Sequence, residues 1–220
     1  MNFNYLMNSA EKQKRKWLEE IIEKYSDHKF LYFAMLTNTH EGRGSSFPRA
    51  VTDSKRKIAY AHFRIDMMEK FHGKDVVSEY NGTDLYTKTD WKKYTKDFIT
   101  KYKAQDDGKD VIVFTDPDVG FYQKDITLVK EKKHINIEMI EMLMDTITEN
   151  SLVICYQQQN QATNPSTVKD RQLKQHLNNT SIKMNDEIYN DNKSIKFYIF
   201  YKGDGLSNLE KKTTVNVKFD

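Results

Sequence analysis

The stretch "DVIVFTDPDVGF", Asp110 to Phe121, decides how the chain is read. Val111 to Thr115 is an unbroken run of β-formers, apolar on both faces, as strands inside a parallel sheet are. The run stops at Asp116-Pro117-Asp118, and Pro117 is one of only three prolines in the chain. Proline has no amide hydrogen and a fixed φ, so it ends the hydrogen-bonding ladder. It also biases Asp116 toward extended backbone. Gly120 permits a sharp turn and the close approach of another group. Two carboxylates are therefore expected at a strand end with little freedom. That suits metal binding, proton transfer or hydrogen bonding to a polar substrate edge. A plain turn, in which the aspartates cap backbone amides, is the other reading of the same residues.

Around this stretch the chain alternates between strand-like and helix-like segments. "HKFLYFAMLT", from His28, and "SLVICYQQ", from Ser151, read as further strands buried on both faces. Ala10 to Tyr25 reads as an amphipathic helix with Trp17, Leu18, Ile21, Ile22 and Tyr25 on one side. A second carries the stripe Trp91, Tyr94, Phe98 and Tyr102, and a third, "HINIEMIEMLMDTITEN", turns Ile137, Ile140, Met144 and Ile147 inward. "RKIAYAHFRIDMMEKFHG", ending at Gly73, reads as a helix, followed by a short strand "DVVSEY" and a turn at Asn81-Gly82. Residues from about 158 to 192 are polar and read as a long flexible loop with one short helix near Val168 to Leu177. The C-terminal segment alternates around Gly203-Asp204-Gly205, which predicts an antiparallel hairpin. The expected fold is a single α/β domain over residues 1–220, Rossmann-like, with a largely parallel sheet and a C-terminal antiparallel hairpin. In such sheets ligands bind at the carboxyl ends of the strands, where Asp116 and Asp118 stand. Tyr156 and Gln157, at the end of their own strand, are expected beside them.

Bulk composition narrows the function only coarsely. Hydrophobic residues make up 38% of the 220, but aromatics reach 12%, and their large rings sustain a packed core despite a mean hydropathy of -0.80. The net charge of +3 and pI near 8.6 permit nucleic-acid binding without demanding it. A single cysteine, Cys155, excludes an internal disulfide and a multi-cysteine zinc site. No apolar stretch is long enough to cross a bilayer and no signal peptide is visible, so a cytoplasmic location is expected.

"VIVFTDPDVGF", "KKHINIEMIEML", "SLVICYQQQNQ" and "SIKFYIFYKG", in that order, resemble a widespread uncharacterised bacterial family with a DPD-x-G turn. The same order is similar to the later half of class I S-adenosylmethionine-dependent methyltransferases. There a central strand ends in D-P-P-Y or a relative, followed by a helix, another strand and a final hairpin. In the nucleic-acid amino-methylating members the acidic turn holds the target amino group. The resemblance implies a methyltransferase-like fold, S-adenosylmethionine as cofactor, and a nucleic-acid or nucleotide substrate, in bacterial or phage defence. Asp116 and Pro117 match the first two motif positions; Asp118 replaces its second proline and Val119 its stacking aromatic. Glu41, Gly42 and Gly44 in "HEGRGS" follow the first strand and would approach the cofactor, although their spacing departs from the usual glycine-rich loop.

Two other readings fit the same residues. Pro117-Asp118 followed by Glu131-Lys132-Lys133 matches the P-D…(D/E)-x-K pattern of metal-dependent nucleases. Residues 119–123 and 126–132 would then form a hairpin, with Asp118 and Glu131 binding Mg²⁺ and Lys133 activating water or stabilising phosphate charge. Alternatively, the chain is a non-catalytic nucleic-acid- or protein-binding module. Its contact would run through the basic segment Lys169, Arg171, Lys174 and His176.

Overall fold

The computed structural model describes residues 17–18, 20–21, 23–33, 91–104, 107–117, 119–122, 124–129, 134–158, 166–189 and 195–203. In chain order the elements are β1 (Lys29–Phe33), α1 (Trp91–Lys103), β2 (Val111–Thr115), β3 (Gly120–Phe121), β4 (His134–Ile135), α2 (Ile137–Met144), β5 (Leu152–Gln158), α3 (Ser166–Leu177), β6 (Lys183–Tyr189) and β7 (Ile195–Tyr201). Five strands form one sheet in the order β1-β2-β5-β7-β6. β1, β2 and β5 run parallel, whereas β7 is antiparallel to both β5 and β6. β6 therefore points the same way as β5, with the reversed β7 inserted between them. The fold is mixed α/β with a mostly parallel central sheet, as the alternating apolar runs predict.

The parallel strands owe their place to composition. Val111 to Thr115 is buried at every position, and so are Phe30 to Phe33, because side chains on both faces meet protein. On one face Leu31, Phe33, Val111, Val113, Val153, Cys155, Tyr198 and Phe200 join a core with residues from α1, α2 and α3. Phe98 of α1 packs its ring 4.6 Å from that of Phe33, and Trp91 and Tyr94 flank the same core half-buried. Rings cover the opposite face. Tyr32 stacks on Phe114, Phe114 and Tyr156 meet Phe197, and Trp17 lies flat on Phe197 with centroids 3.9 Å apart. Such aromatic pairs contribute roughly 0.5–1.5 kcal/mol each beyond their buried area.

α2 begins where Asn136 caps it: the Asn136 side chain accepts a hydrogen bond from the Met139 amide at 3.0 Å. At its far end Lys202 Nζ donates to the Met144 carbonyl at 2.7 Å. Ile137, Ile140, Met144 and Ile147 are all buried.

Three expectations need correction. Residues 183–189 are not loop but the edge strand β6, and α3 spans Ser166–Leu177 within the same polar segment. An edge strand pairs on one side only and tolerates the polar residues of "KMNDEIY". The hairpin partner of Ile195–Tyr201 is β6, upstream, not the chain after Gly205. Both edges of β7 are already taken, by β5 and β6. Finally, the expected hairpin of 119–123 with 126–132 is not seen among the described residues, where 126–129 carry no strand. β3 pairs in parallel with β4, Gly120 opposite His134, and Asp125 instead closes a local turn. Its carboxylate accepts from the Thr127 amide at 2.9 Å and the Thr127 hydroxyl at 2.7 Å, which holds its pKa below the ordinary value.

The helix ending at Gly73, the strand "DVVSEY" and the Asn81-Gly82 turn lie outside the described residues. No described helix is long and apolar enough to cross a membrane.

Candidate functional site

Asp116 is the first residue past β2, and its backbone amide still donates to the Phe33 carbonyl of β1 at 3.2 Å. The ladder ends there, because Pro117 follows with no amide to give. The Asp116 side chain is 1% exposed, and its Oδ2 accepts a hydrogen bond from Tyr32 Oη at 2.7 Å. Burying a carboxylate is costly unless donors meet it. Tyr32, on the neighbouring parallel strand, supplies one and fixes the acid in orientation. No pattern in "HKFLYFAMLT" singles Tyr32 out, because Phe30, Leu31 and Phe33 beside it are equally buried.

The turn after Asp116 is held from the far side of the sheet. Gly120 has φ of +100°, a conformation open to glycine and strained for other residues. The carboxamide of Gln157 packs directly on it. Gln157 Oε1 accepts from the Phe121 amide at 2.9 Å, and Gln157 Nε2 donates to the Val119 carbonyl at 2.8 Å. One side chain thus mimics a strand partner for the backbone on both sides of the glycine. A Cβ on Gly120 would lie 2.6 Å from Gln157 Cδ. The proline-and-glycine turn is thus clamped in place.

The predicted site residues are therefore brought together unevenly. Thr115 pairs with Cys155 across β2 and β5, so Asp116 and Tyr156 are the next residues on adjacent strands. Alternation puts Tyr156 on the face of Phe114 and Phe197, where it is half-buried against the Phe197 ring at 6.1 Å. Gln157 faces the other way, 1% exposed, and serves the turn. Asp118, Glu131, Lys133, Glu41, Gly42 and Gly44 lie outside the described residues. Among the described residues no group of His, Cys, Asp and Glu could hold a metal ion.

The basic segment does not act as one surface. Arg171 and Lys174 are exposed on α3, His176 meets Glu141 of α2 at 2.8 Å, and Lys169 is turned inward with 5% exposure. Burial depresses the Lys169 pKa to about 8; the neighbouring Lys196 adds to this, and Cys155 and Asp170 oppose it. Asp170 is committed elsewhere: both its oxygens lie 2.8 Å from Lys196 Nζ, and Oδ1 accepts from Tyr198 Oη at 2.9 Å. Cys155 is fully buried, and desolvation pushes its thiol up to about 12, with Asp116 adding to the rise. It is core filler rather than a nucleophile.

No family model and no curated protein matches the chain. Among solved structures, the O-methyltransferase from Bacillus cereus in complex with SAH is similar at 10% identity, with a TM-score of 0.44, over 90% of this chain and 82% of that one. A likeness that distant adds nothing to what the strand order itself shows.

Proposed function

We propose that this chain is a methyltransferase that uses S-adenosylmethionine and acts on a nucleic-acid or nucleotide acceptor, with Asp116 orienting the group to be methylated. The carrying observation is Asp116 itself: a buried acid, fixed by Tyr32, at the carboxyl end of the strand between β1 and β5. The strand order supports it too, since the reversed β7 inserted between β5 and β6 agrees with the resemblance in "DPD" and the segments that follow.

Each part has a defined task. Asp116 accepts a hydrogen bond from the acceptor's amino or hydroxyl group and aligns its lone pair. Tyr32 holds that carboxylate in register, and Gln157 keeps the following turn from relaxing. Tyr156, beside Asp116, offers a ring against which a flat acceptor stacks. The loop holding Glu41, Gly42 and Gly44 follows the carboxyl end of β1 in sequence and would carry the cofactor. When bound, the cofactor supplies an electrophilic methyl group. The Mg²⁺-nuclease reading loses its expected hairpin and is not retained. A place in bacterial or phage defence belongs to the same proposal, and loss of protection against infection on deleting the gene would test it.

The test is transfer of labelled methyl groups from S-adenosylmethionine to a mixed nucleic-acid and nucleotide pool. Asp116→Asn keeps the size of the side chain and a hydrogen bond with Tyr32. It is expected to lower transfer about 100-fold or more, with stability altered by under about 1 kcal/mol. Unchanged transfer in Asp116→Asn would remove Asp116 from the reaction.

A further inference from the structure

Charge is sorted by helix along one face of the sheet. α1 holds five lysines and one aspartate, a formal +4 against +3 for the whole chain, so the other residues together sum to −1. α2, beside it, has Glu138 and Glu141 and no basic residue. A merely solvated helix interleaves its charges and pairs them at i, i+4. α1 does so once, between Lys93 and Asp97 at 2.6 Å. Lys92 meets Glu138 of α2 at 3.0 Å, an exposed contact that salt screens and a phosphate can replace. Among the described residues no acid pairs with Lys96, Lys101 or Lys103.

The lysines are also aligned. Thr95, Phe98 and Tyr102 take the buried side of α1. Lys92, Lys96 and Lys103 stand at i, i+4 and i+11, a single line along its exposed side. At roughly 1.5 Å of rise per residue that line is about 16 Å long. It begins at the carboxyl end of the sheet. The Tyr94 ring lies 5.4 Å from that of Phe33, the last residue of β1, and the Phe33 carbonyl accepts from the Asp116 amide. From there α1 runs back toward the start of β2. A basic line thus leads away from the rim on which Asp116 stands.

We propose that the lysine face of α1 binds the phosphate backbone of a nucleic-acid strand, so that the acceptor is a polynucleotide and not a free nucleotide. Each strand of a duplex carries a phosphate about every 3.4 Å of its axis, so a polymer presents several charges along such a line, and a mononucleotide presents its own alone. Lysines clustered along one helix are the electrostatic footprint of such a partner. Only the delivery of a base to Asp116 rests on the function proposed above; the binding of the strand does not.

Fluorescence anisotropy with a labelled single strand of mixed sequence, about 20 nucleotides long, as DNA and as RNA, tests the surface. The wild type is expected to bind it. Lys96→Gln/Lys103→Gln should bind about tenfold more weakly at low salt while melting at the same temperature. The slope of log affinity against log salt should become shallower by about 1.4, for two lost contacts at about 0.7 each. Arg171→Gln/Lys174→Gln removes the same charge from α3 and should cost less than about threefold. Equal losses in the two double variants would reduce the effect to bulk charge and overturn the proposal. So would unchanged affinity in the α1 variant, or no binding of either strand by the wild type. A nucleoside monophosphate that binds the wild type as tightly as the strand does would overturn it without any variant. S-adenosylhomocysteine, titrated separately, reports on methyl transfer alone, so the two readings fail independently.

Discussion

The two ends of the sheet are built differently. At the amino end, where the parallel strands begin, short polar side chains meet backbone groups in pairs. Ser151 Oγ accepts from the Val111 amide at 2.8 Å, Thr148 joins Asp110 to Ser151, and the Lys29 amide donates to the Asp110 carbonyl at 2.8 Å. His28 Nε2 is 3.1 Å from the Asn150 carbonyl. At the carboxyl end the chain buries the acid Asp116, the Gln157 clamp on a glycine of positive φ, and most of the Lys169 side chain. The first arrangement lowers the energy of the fold. The second keeps polar groups that a purely structural end could replace with apolar ones, which is what the function proposed for Asp116 requires.

Substitutions at the two ends can break this contrast. The largest effect is expected from Gly120→Ala, where a positive φ and a clash with Gln157 act together. A loss of about 2–4 kcal/mol in urea unfolding is expected, with methyl transfer falling as the turn shifts. A loss under about 0.5 kcal/mol would mean that the clamp yields and the turn is not fixed. Ser151→Ala leaves the buried Val111 amide without its acceptor and should cost about 1–2 kcal/mol. Its effect should stop there: cofactor affinity stays unchanged, and a variant that lost it would join the two ends that the contrast separates.

Lys169 gives the smallest effect and the most specific one. Its folded pKa, about 8, lies below the ordinary 10.5, so the unfolded chain binds more proton between those values. Folding stability should therefore rise with pH from about 8 to about 10.5, and the charged form costs stability below that window. Lys169→Met removes this slope and should be the more stable protein at pH 7, by about 1 kcal/mol or more. Denaturant midpoints of both proteins between pH 7 and pH 10 would show it. Parallel profiles would mean that the amine is paired after all.

Much of this was legible in the sequence where burial is two-sided or periodic. Phe30 to Phe33, Val111 to Thr115 and Leu152 to Cys155 are unbroken apolar runs, and all became parallel strands. Ile137, Ile140, Met144 and Ile147 repeat at helical spacing, and all face the core. β6 was hidden because an edge strand needs few apolar residues, and "KMNDEIY" supplies few. The facing of Lys169 was hidden because α3 has a weak apolar stripe, Leu173 and Leu177, that does not extend to its first turn. Asp116 could be singled out from Pro117 and Gly120. Its partner Tyr32 could not be, since the contact spans 84 residues of sequence and depends on strand order. Gln157 was correctly placed near the turn, but its direction, set by the parity of β5, makes it a brace and leaves Tyr156 to face the other side.

The most direct measurement is calorimetric titration of the protein with S-adenosylhomocysteine, in the wild type and in Lys169→Met. Micromolar affinity, equal in both, is the predicted result, because the proposed cofactor loop follows β1 in sequence whereas Lys169 lies beside Cys155 of β5. Absence of binding to the wild type at millimolar concentrations would contradict the account. The buried acid after β2 would then be a feature of the turn alone.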